Sequence, residues 1–463
     1  MEQSRQKWIA LILVSMAIFL CVIDLFIVNV AIPSIKTALQ ATDADSQLIV
    51  VLYVIGYAGF LIAGSRAGDY YGKKRVYLMG MLVFTIASAF CSISQTALQL
   101  NLSRLLQGVS AAFMVPQGLA LIPIIFTNQH EKAKAYGIYG SIAGVASVIG
   151  QFLGGLLPDI HSVIEGWRLI FVINIPVGLV AIFYGYKLLP ESDKQFNKGF
   201  DFGGQILLLL MLVGFIYPMI EGREKNWPWW SLIMLGISLV LAVVFVFHQR
   251  SRKQQSKEVL IDINVFAFTD FNWGLTAVAF YFMVQDTYFF VNALYLQYGL
   301  GVSSTQTGYY FVFQGIGYVI ASIVAVKLLA RLGQKLILIG LTIMILGLLG
   351  HLFVFSTTDV SELWIYTILL VYGLGCGTVL PCMLTVAIRD IPAALVGTAS
   401  GVYLTVQQIA IALGIAVIVG MFFNIIENKV SYLSAYQATN WLNIGLLICV
   451  VLIFIITGRK KKI

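Results

Sequence analysis

Fourteen separate stretches of this chain are apolar and long enough to cross a lipid bilayer, and that pattern leaves few folds open. A spanning helix needs about 20 consecutive, mostly apolar residues. Such windows lie at 8–33, 48–64, 76–94, 99–126, 135–157, 169–189, 202–220 and 229–247, and then at 271–294, 305–326, 336–355, 363–388, 397–423 and 442–457. Backbone in hydrocarbon must satisfy its own polar groups, so repeated spans of this length predict an all-α integral membrane bundle. Composition agrees: 59% of residues are hydrophobic and 11% charged, against roughly half and a quarter in soluble domains. The first window follows a short basic start, Met1 to Lys7. It is long, contains Asp24 and lacks a small-residue cleavage site, so it is read as a retained span rather than a signal peptide.

A net charge of +8 invites a nucleic-acid reading, and the position of the charges excludes it. Of the 29 Lys and Arg, 23 fall in alternate loops and adjoining span ends on one side, five fall on the other, and Arg104 lies inside a span. Cytoplasmic loops carry such an excess. A multi-pass cell-membrane protein with both termini cytoplasmic is expected. The five cysteines (Cys21, Cys91, Cys376, Cys382, Cys449) all lie in apolar runs without metal-ligand spacing, and read as small hydrophobes. Trp227, Trp229 and Trp230 read as interfacial anchors.

The chain also repeats itself. Asp24 and Asp286 are 262 residues apart, and each is followed by an Asn, Asn29 and Asn292. Gly72-Lys73-Lys74 and Gly333-Gln334-Lys335 are 261 apart; Gly137 and Gly397, and Gly154 and Gly414, are each 260 apart. A near-constant offset predicts two pseudo-symmetric parallel six-helix halves, 1–190 and 265–463, with two inserted helices and their linkers at 191–264. Internal repeats of this kind build proteins that alternate access around a central site.

Five stretches carry recognisable motifs. The loop after the second window reads Ser65-Arg66-Ala67-Gly68-Asp69-Tyr70-Tyr71-Gly72-Lys73-Lys74-Arg75-Val76. Gly72 permits a tight turn, and Asp69 can pair with neighbouring cations; simple positive-inside anchoring is the plainer alternative. The fourth window contains Leu100, Arg104, Gln107, Gly108, Ser110, Ala111 and Ala112, and the fifth Gly150-Gln151-Phe152-Leu153-Gly154-Gly155. The first carries Asp24-Leu25-Phe26-Ile27-Val28-Asn29-Val30-Ala31-Ile32-Pro33, and the sixth opens Trp167-Arg168-Leu169-Ile170-Phe171-Val172-Ile173-Asn174-Ile175-Pro176. Together with Gly397, Ser400, Gly401, Thr405, Gln407 and Gln408, these stretches resemble the major facilitator superfamily. Within it they are similar to the fourteen-span drug:proton antiporters, which include multidrug and quaternary-ammonium exporters. Ser65 and Ser110 replace usual glycines, Phe26 a usual Thr, and Gln151 a usual Pro. The resemblance implies a 6+2+6 arrangement, a gating loop at Asp69, Gly72 and Arg75, and a first-helix acid at Asp24.

Acids inside the windows are few: Asp24 and Asp286, with Glu221 at a span end. A carboxylate taken out of water binds its proton more tightly in general, so such a group can exchange a proton for an organic cation. Proton coupling is therefore expected at Asp24, Asp286 and Arg104, the last tuning Asp24. At about 1.5 Å per residue, Asp24 and Arg104 lie at similar depth, and a structural ion pair is the plainer alternative. Phe282 and Phe289 flank Asp286 at helical spacing, as does Phe290, and suit a flat cation; packing against lipid is the alternative for each. Substrate contacts are expected at Asp24, Asp286, Phe282, Phe289, Gln151 and Gln407. Gln107, Gln314 and Gln408 are further intramembrane amides that line a cavity or join helices. His351 is a lone intramembrane His and reads as packing.

The expected function is proton-coupled export of lipophilic, cationic drugs by a monomer in the bilayer. No cofactor is expected beyond the coupling proton, and no nucleic-acid partner. An uptake symporter, or an exporter of one metabolite, is the alternative within transport. A non-transporting sensor or scaffold is the alternative class; no appended soluble domain supports it. No nucleophile–base arrangement, metal spacing or nucleotide-binding loop supports an enzyme or an ATP-driven pump.

Overall fold

The computed structural model describes residues 2–160, 163–192, 200–356, 361–392 and 395–459; the basic residues Lys194, Lys198 and Lys460 to Lys462 lie outside them. In chain order its helices are α1 Glu2–Leu39, α2 Asp43–Tyr71, α3 Lys73–Ile93, α4 Ala97–Ile125, α5 Gln129–Leu156, α6 Gly166–Val172, α7 Asn174–Leu188, α8 Phe202–Glu224 and α9 Trp229–Gln254. Then come α10 Thr269–Leu294, α11 Ser304–Leu332, α12 Gln334–Val354, α13 Glu362–Ala387, α14 Val396–Gly414, α15 Gly420–Glu427 and α16 Tyr432–Arg459. Among the described residues, fourteen helical spans are long and apolar enough to cross a membrane, and each expected window overlaps one. The sixth span is broken into α6 and α7 at Ile173. Pro176 explains the break, because it lacks the N–H that would bond the Val172 carbonyl four residues back. The thirteenth is interrupted by a π-helical turn, Ile415–Val419, between α14 and α15.

The chain divides into two compact units, Met1–Ile261 and Asp262–Ile463. In the first, α1 packs on α5, and α2 and α3 both pack on α4; in the second, α10 packs on α14, and α11 and α12 on α13. Close glycine contacts show that these are the same packing twice. A Cβ on Gly108 would lie 2.0 Å from the Tyr53 carbonyl oxygen, and one on Gly373 would lie 2.0 Å from that of Gln314. Gly56 meets Leu105 and Val109 backbone as Gly317 meets Leu370 and Leu374. Small residues at such points let helix backbones approach. These contacts pair second-span residues at an offset of 261 and fourth-span residues at 265, so Gln107 and Tyr372 occupy equivalent places.

The two inserted helices belong to the first unit. The Gln205 amide donates to the Gly59 carbonyl, and Glu224 accepts from the Ala44 backbone N–H, so α8 is held to α2 near both of its ends. α9 packs on α8 and turns Leu232, Ile237, Val240, Val243 and Phe247 outward, a face suited to lipid. One buried acid organises the insert. Asp201 caps α8, accepting from Gly204 N–H at 2.9 Å, His248 Nε2–H at 2.8 Å and Gln249 Nε2–H at 2.7 Å, with Arg252 Nε at 3.3 Å. Gln249 in turn accepts from the Leu260 and Ile261 backbone N–H groups, which ties the linker after α9 to the hairpin.

Burial opposes ionisation of Asp201, but the donors from His248, Gly204 and Gln249 outweigh it and hold the carboxyl below its ordinary range. A depressed folded-state pKa adds stability above the unfolded value, about 3.9, and loses it as pH falls through the folded one. Asp201→Asn is expected to lower stability by about 2 kcal/mol at neutral pH, the usual worth of hydrogen bonds to a charged group. Wild type and variant should converge as the pH is taken below about 4. Melting of the detergent-solubilised protein across pH measures this; a gap that widens in acid would contradict it.

Candidate functional site

In the first unit the sequence gathers polar side chains from two other helices around one acid. Asp24, halfway along α1, is fully buried. Its Oδ1 accepts from Gln107 Nε2 at 2.9 Å and Asn174 Nδ2 at 2.8 Å, and its Oδ2 accepts from Arg104 Nη1. Arg104 is equally buried. It also donates to the Ile49 carbonyl at 3.0 Å and the Gln107 Oε1 at 2.7 Å, and its guanidinium lies 4.4 Å above the Tyr53 ring. The pairing expected from depth alone is thus present, and Gln107 joins helices rather than facing an open cavity. Asn174 reaches Asp24 because the Pro176 break places it at the start of α7. Gln151 is buried, with no protein partner for its Oε1. On either side of it, a Cβ on Gly150 or Gly154 would lie 2.8 or 2.4 Å from carbonyl oxygens of α1. The close packing of α1 on α5 therefore stands without the motif proline.

The second unit places its acid differently. Asp286 is 4% exposed, and no protein group within hydrogen-bond reach meets its Oδ1. Phe282, Phe289 and Phe290 are buried rather than lipid-facing; Phe289 meets Phe311 of α11 edge-on, with centroids 5.7 Å apart. Gln407 is half-buried. Tyr288, two positions after Asp286, makes the contact that corresponds to that of Asp24 with Gln107. It stacks on Tyr372 at 3.7 Å, where Gln107 stands in the first unit, and its hydroxyl lies 2.9 Å from His351 Nε2. His351 Nδ1 is 2.7 Å from the Gly347 carbonyl, which can only accept, so Nδ1 carries the proton and Nε2 receives the Tyr288 O–H. His351 is a packing and hydrogen-bonding residue. Residues two apart on a helix point about 200° apart, so Asp286 faces away from this cluster.

The loop between α2 and α3 has the expected turn: Gly72 adopts φ 96°, which only glycine takes readily. Asp69 Oδ1 lies 3.3 Å from Lys73 Nζ, while Arg75 is exposed. Gln117 of α4 secures this end of α2, donating to the Gly64 carbonyl at 2.7 Å.

A sequence profile described as Major Facilitator Superfamily matches residues 14–219 and 196–415. The chain belongs to this superfamily. It is 31% identical over 427 residues to the probable actinorhodin transporter of Streptomyces coelicolor, covering 92% of this chain and 74% of that one. It is 30% identical to multidrug resistance protein Stp of Mycobacterium tuberculosis, covering 90% and 76%. It is also 29% identical to the riboflavin transporter RibZ of Clostridioides difficile, covering 89% and 87%. Among solved structures, a bacterial homolog of the human lysosomal transporter Spinster superposes with a TM-score of 0.69 at 16% identity, over 97% of this chain and 96% of that one. That likeness concerns the fold.

For this major facilitator, sequence reasoning found Asp24, Arg104 and Asp286 as the unusual intramembrane charges. It gave no role to Asn174, Tyr372, Gln117 or Asp201. Asn174 had a usable signal, since a polar residue two positions before an intramembrane proline marks a broken span. Tyr372 had none, because an intramembrane tyrosine is commonplace.

Proposed function

We propose that this transporter exports lipophilic organic cations in exchange for protons. The observation that carries the reading is the contrast between its two acids. Asp24 is saturated by Arg104, Gln107 and Asn174. Asp286 is buried beside aromatic residues and keeps one oxygen without a protein donor. In this reading Asp286 holds either a proton or the cation. Loading the cation releases the proton, and the reverse exchange follows once the site opens to the other side. Arg104 pairs with Asp24, and the Asp24 cluster couples helix movement to the exchange. The Asp69–Lys73 loop takes part in gating, both termini are cytoplasmic, and the protein works as a monomer. The relative named for multidrug resistance supports a broad substrate range.

Inverted membrane vesicles with an imposed proton gradient test this. Lipophilic cations should collapse the gradient in wild type, and both Asp24→Asn and Asp286→Asn should abolish that response. A full response from Asp286→Asn would remove the basis of the proposal. A second reading, transport of one compound, is favoured by relatives named for actinorhodin and riboflavin. A response confined to a single compound among chemically varied ones would select it.

A further inference from the structure

We propose that Asp286 makes this transporter prefer amines that carry an N–H over quaternary ammonium ions. The inference rests on the export reading and adds a substrate class to it. Asp286 is 4% exposed, and its Oδ1 has no donor from the protein. The positions a turn either side on its own helix, 282, 283, 289 and 290, are Phe, Met, Phe and Phe and carry no donor. Tyr288 and His351 are bonded to one another and to the Gly347 carbonyl on the opposite face of α10, and the Tyr281 and Tyr372 hydroxyls, though buried without a partner among the described residues, do not reach Oδ1. Asp24 cannot take this part, since both of its oxygens are occupied by protein donors.

A cation that settles against Asp286 must therefore bring its own donor. A protonated secondary or tertiary amine does so, making one charge-assisted N–H···O bond to Oδ1. A quaternary ammonium presents only methyl groups. It brings charge and gains from the aromatic rings, but leaves the buried oxygen without a hydrogen bond. Buried acceptors left in that state weaken association by about tenfold to a hundredfold. The ligand keeps its proton and donates it only as a hydrogen bond; the proton released to solvent on loading is the one that Asp286 held.

The test uses two fluorescent probes with the same aromatic ring, one ending in a dimethylaminoalkyl group and the other in its trimethylammonium counterpart. Binding to the purified full-length chain is read by anisotropy at a pH where the amine is charged. The amine should bind at least tenfold more tightly. Asp286→Leu should bring the two affinities together, whereas Asp286→Asn, which keeps an acceptor oxygen, should weaken both and retain part of the preference. Equal wild-type affinities would overturn the preference while leaving export of cations standing. So would a preference that survives Asp286→Leu in a variant that melts as wild type does. If neither probe binds wild type, the cation reading falls with it.

Discussion

Replacing Arg104 with alanine should destabilise this protein more than truncating any apolar side chain of similar size. The expected loss is about 3–5 kcal/mol, the usual result of removing one partner from a buried ion pair. The reason lies in what would be stranded. Asp24 is fully buried, and Arg104 is its only cation among the described residues. The same guanidinium also donates to the Ile49 carbonyl and the Gln107 amide oxygen, and covers the Tyr53 ring. One side chain thereby ties α1, α2 and α4 together. Arg104→Lys should recover little, because a single ammonium cannot reach Asp24, Ile49 and Gln107 in their separate directions. The double variant Asp24→Asn, Arg104→Leu should be more stable than Arg104→Ala, since it leaves no unpaired charge. Detergent-induced unfolding of these four proteins and of the single variants Asp24→Asn and Arg104→Leu measures all of this. If the double variant fell as far as the sum of the singles, the pair would not be the unit of stability argued here.

That ion pair was legible in the sequence, and the reason is geometric. Depth along a helix follows from counting residues, so the count alone sets Asp24 and Arg104 at one level. Span number was legible for a similar reason, because hydropathy is a property of each window alone. The start of the last helix was not. α16 begins at Tyr432, well before the expected window at 442, and carries Ser434, Thr439 and Asn440 on its first turns. Thr439 and Asn440 are buried and bonded to carbonyls of their own helix, so polar residues continue a helix that hydropathy would end. Rotation about the helix axis was also out of reach. A constant offset set Asp286 opposite Asp24, yet it is Tyr288 that meets Tyr372, the residue equivalent to Gln107, and His351. Two residues of slip leave the depth nearly unchanged and reverse the direction a side chain faces. Asp201 was missed because its partners His248 and Gln249 lie on another helix, and nothing in the spacing joins them.

The same difference in direction sets the consequence of removing the second acid. Asp286→Asn should reduce proton-coupled transport at least tenfold, the loss of one charge-assisted contact, while leaving the protein at least as stable as wild type. These effects separate because Asp286 is not held by the protein. No ion pair among the described residues includes it, and its Oδ1 has no donor, so the isosteric amide forfeits no internal bond. Asp24→Asn behaves otherwise, since it leaves Arg104 buried without its anion and should lower stability and transport together. Asp286→Glu keeps the charge and adds one methylene beside Phe282 and Phe289, both buried; it should restore proton exchange in part, limited by overpacking of about 1–3 kcal/mol. Melting temperature and proton release on adding a lipophilic cation, followed on the same purified samples, give both quantities at once. A carboxylate that anchors helices would lower both when neutralised, and one that binds cargo lowers only the second. Asp286→Asn melting far below wild type would place Asp286 among the structural residues and leave the transporter without an exchanging acid in its second unit.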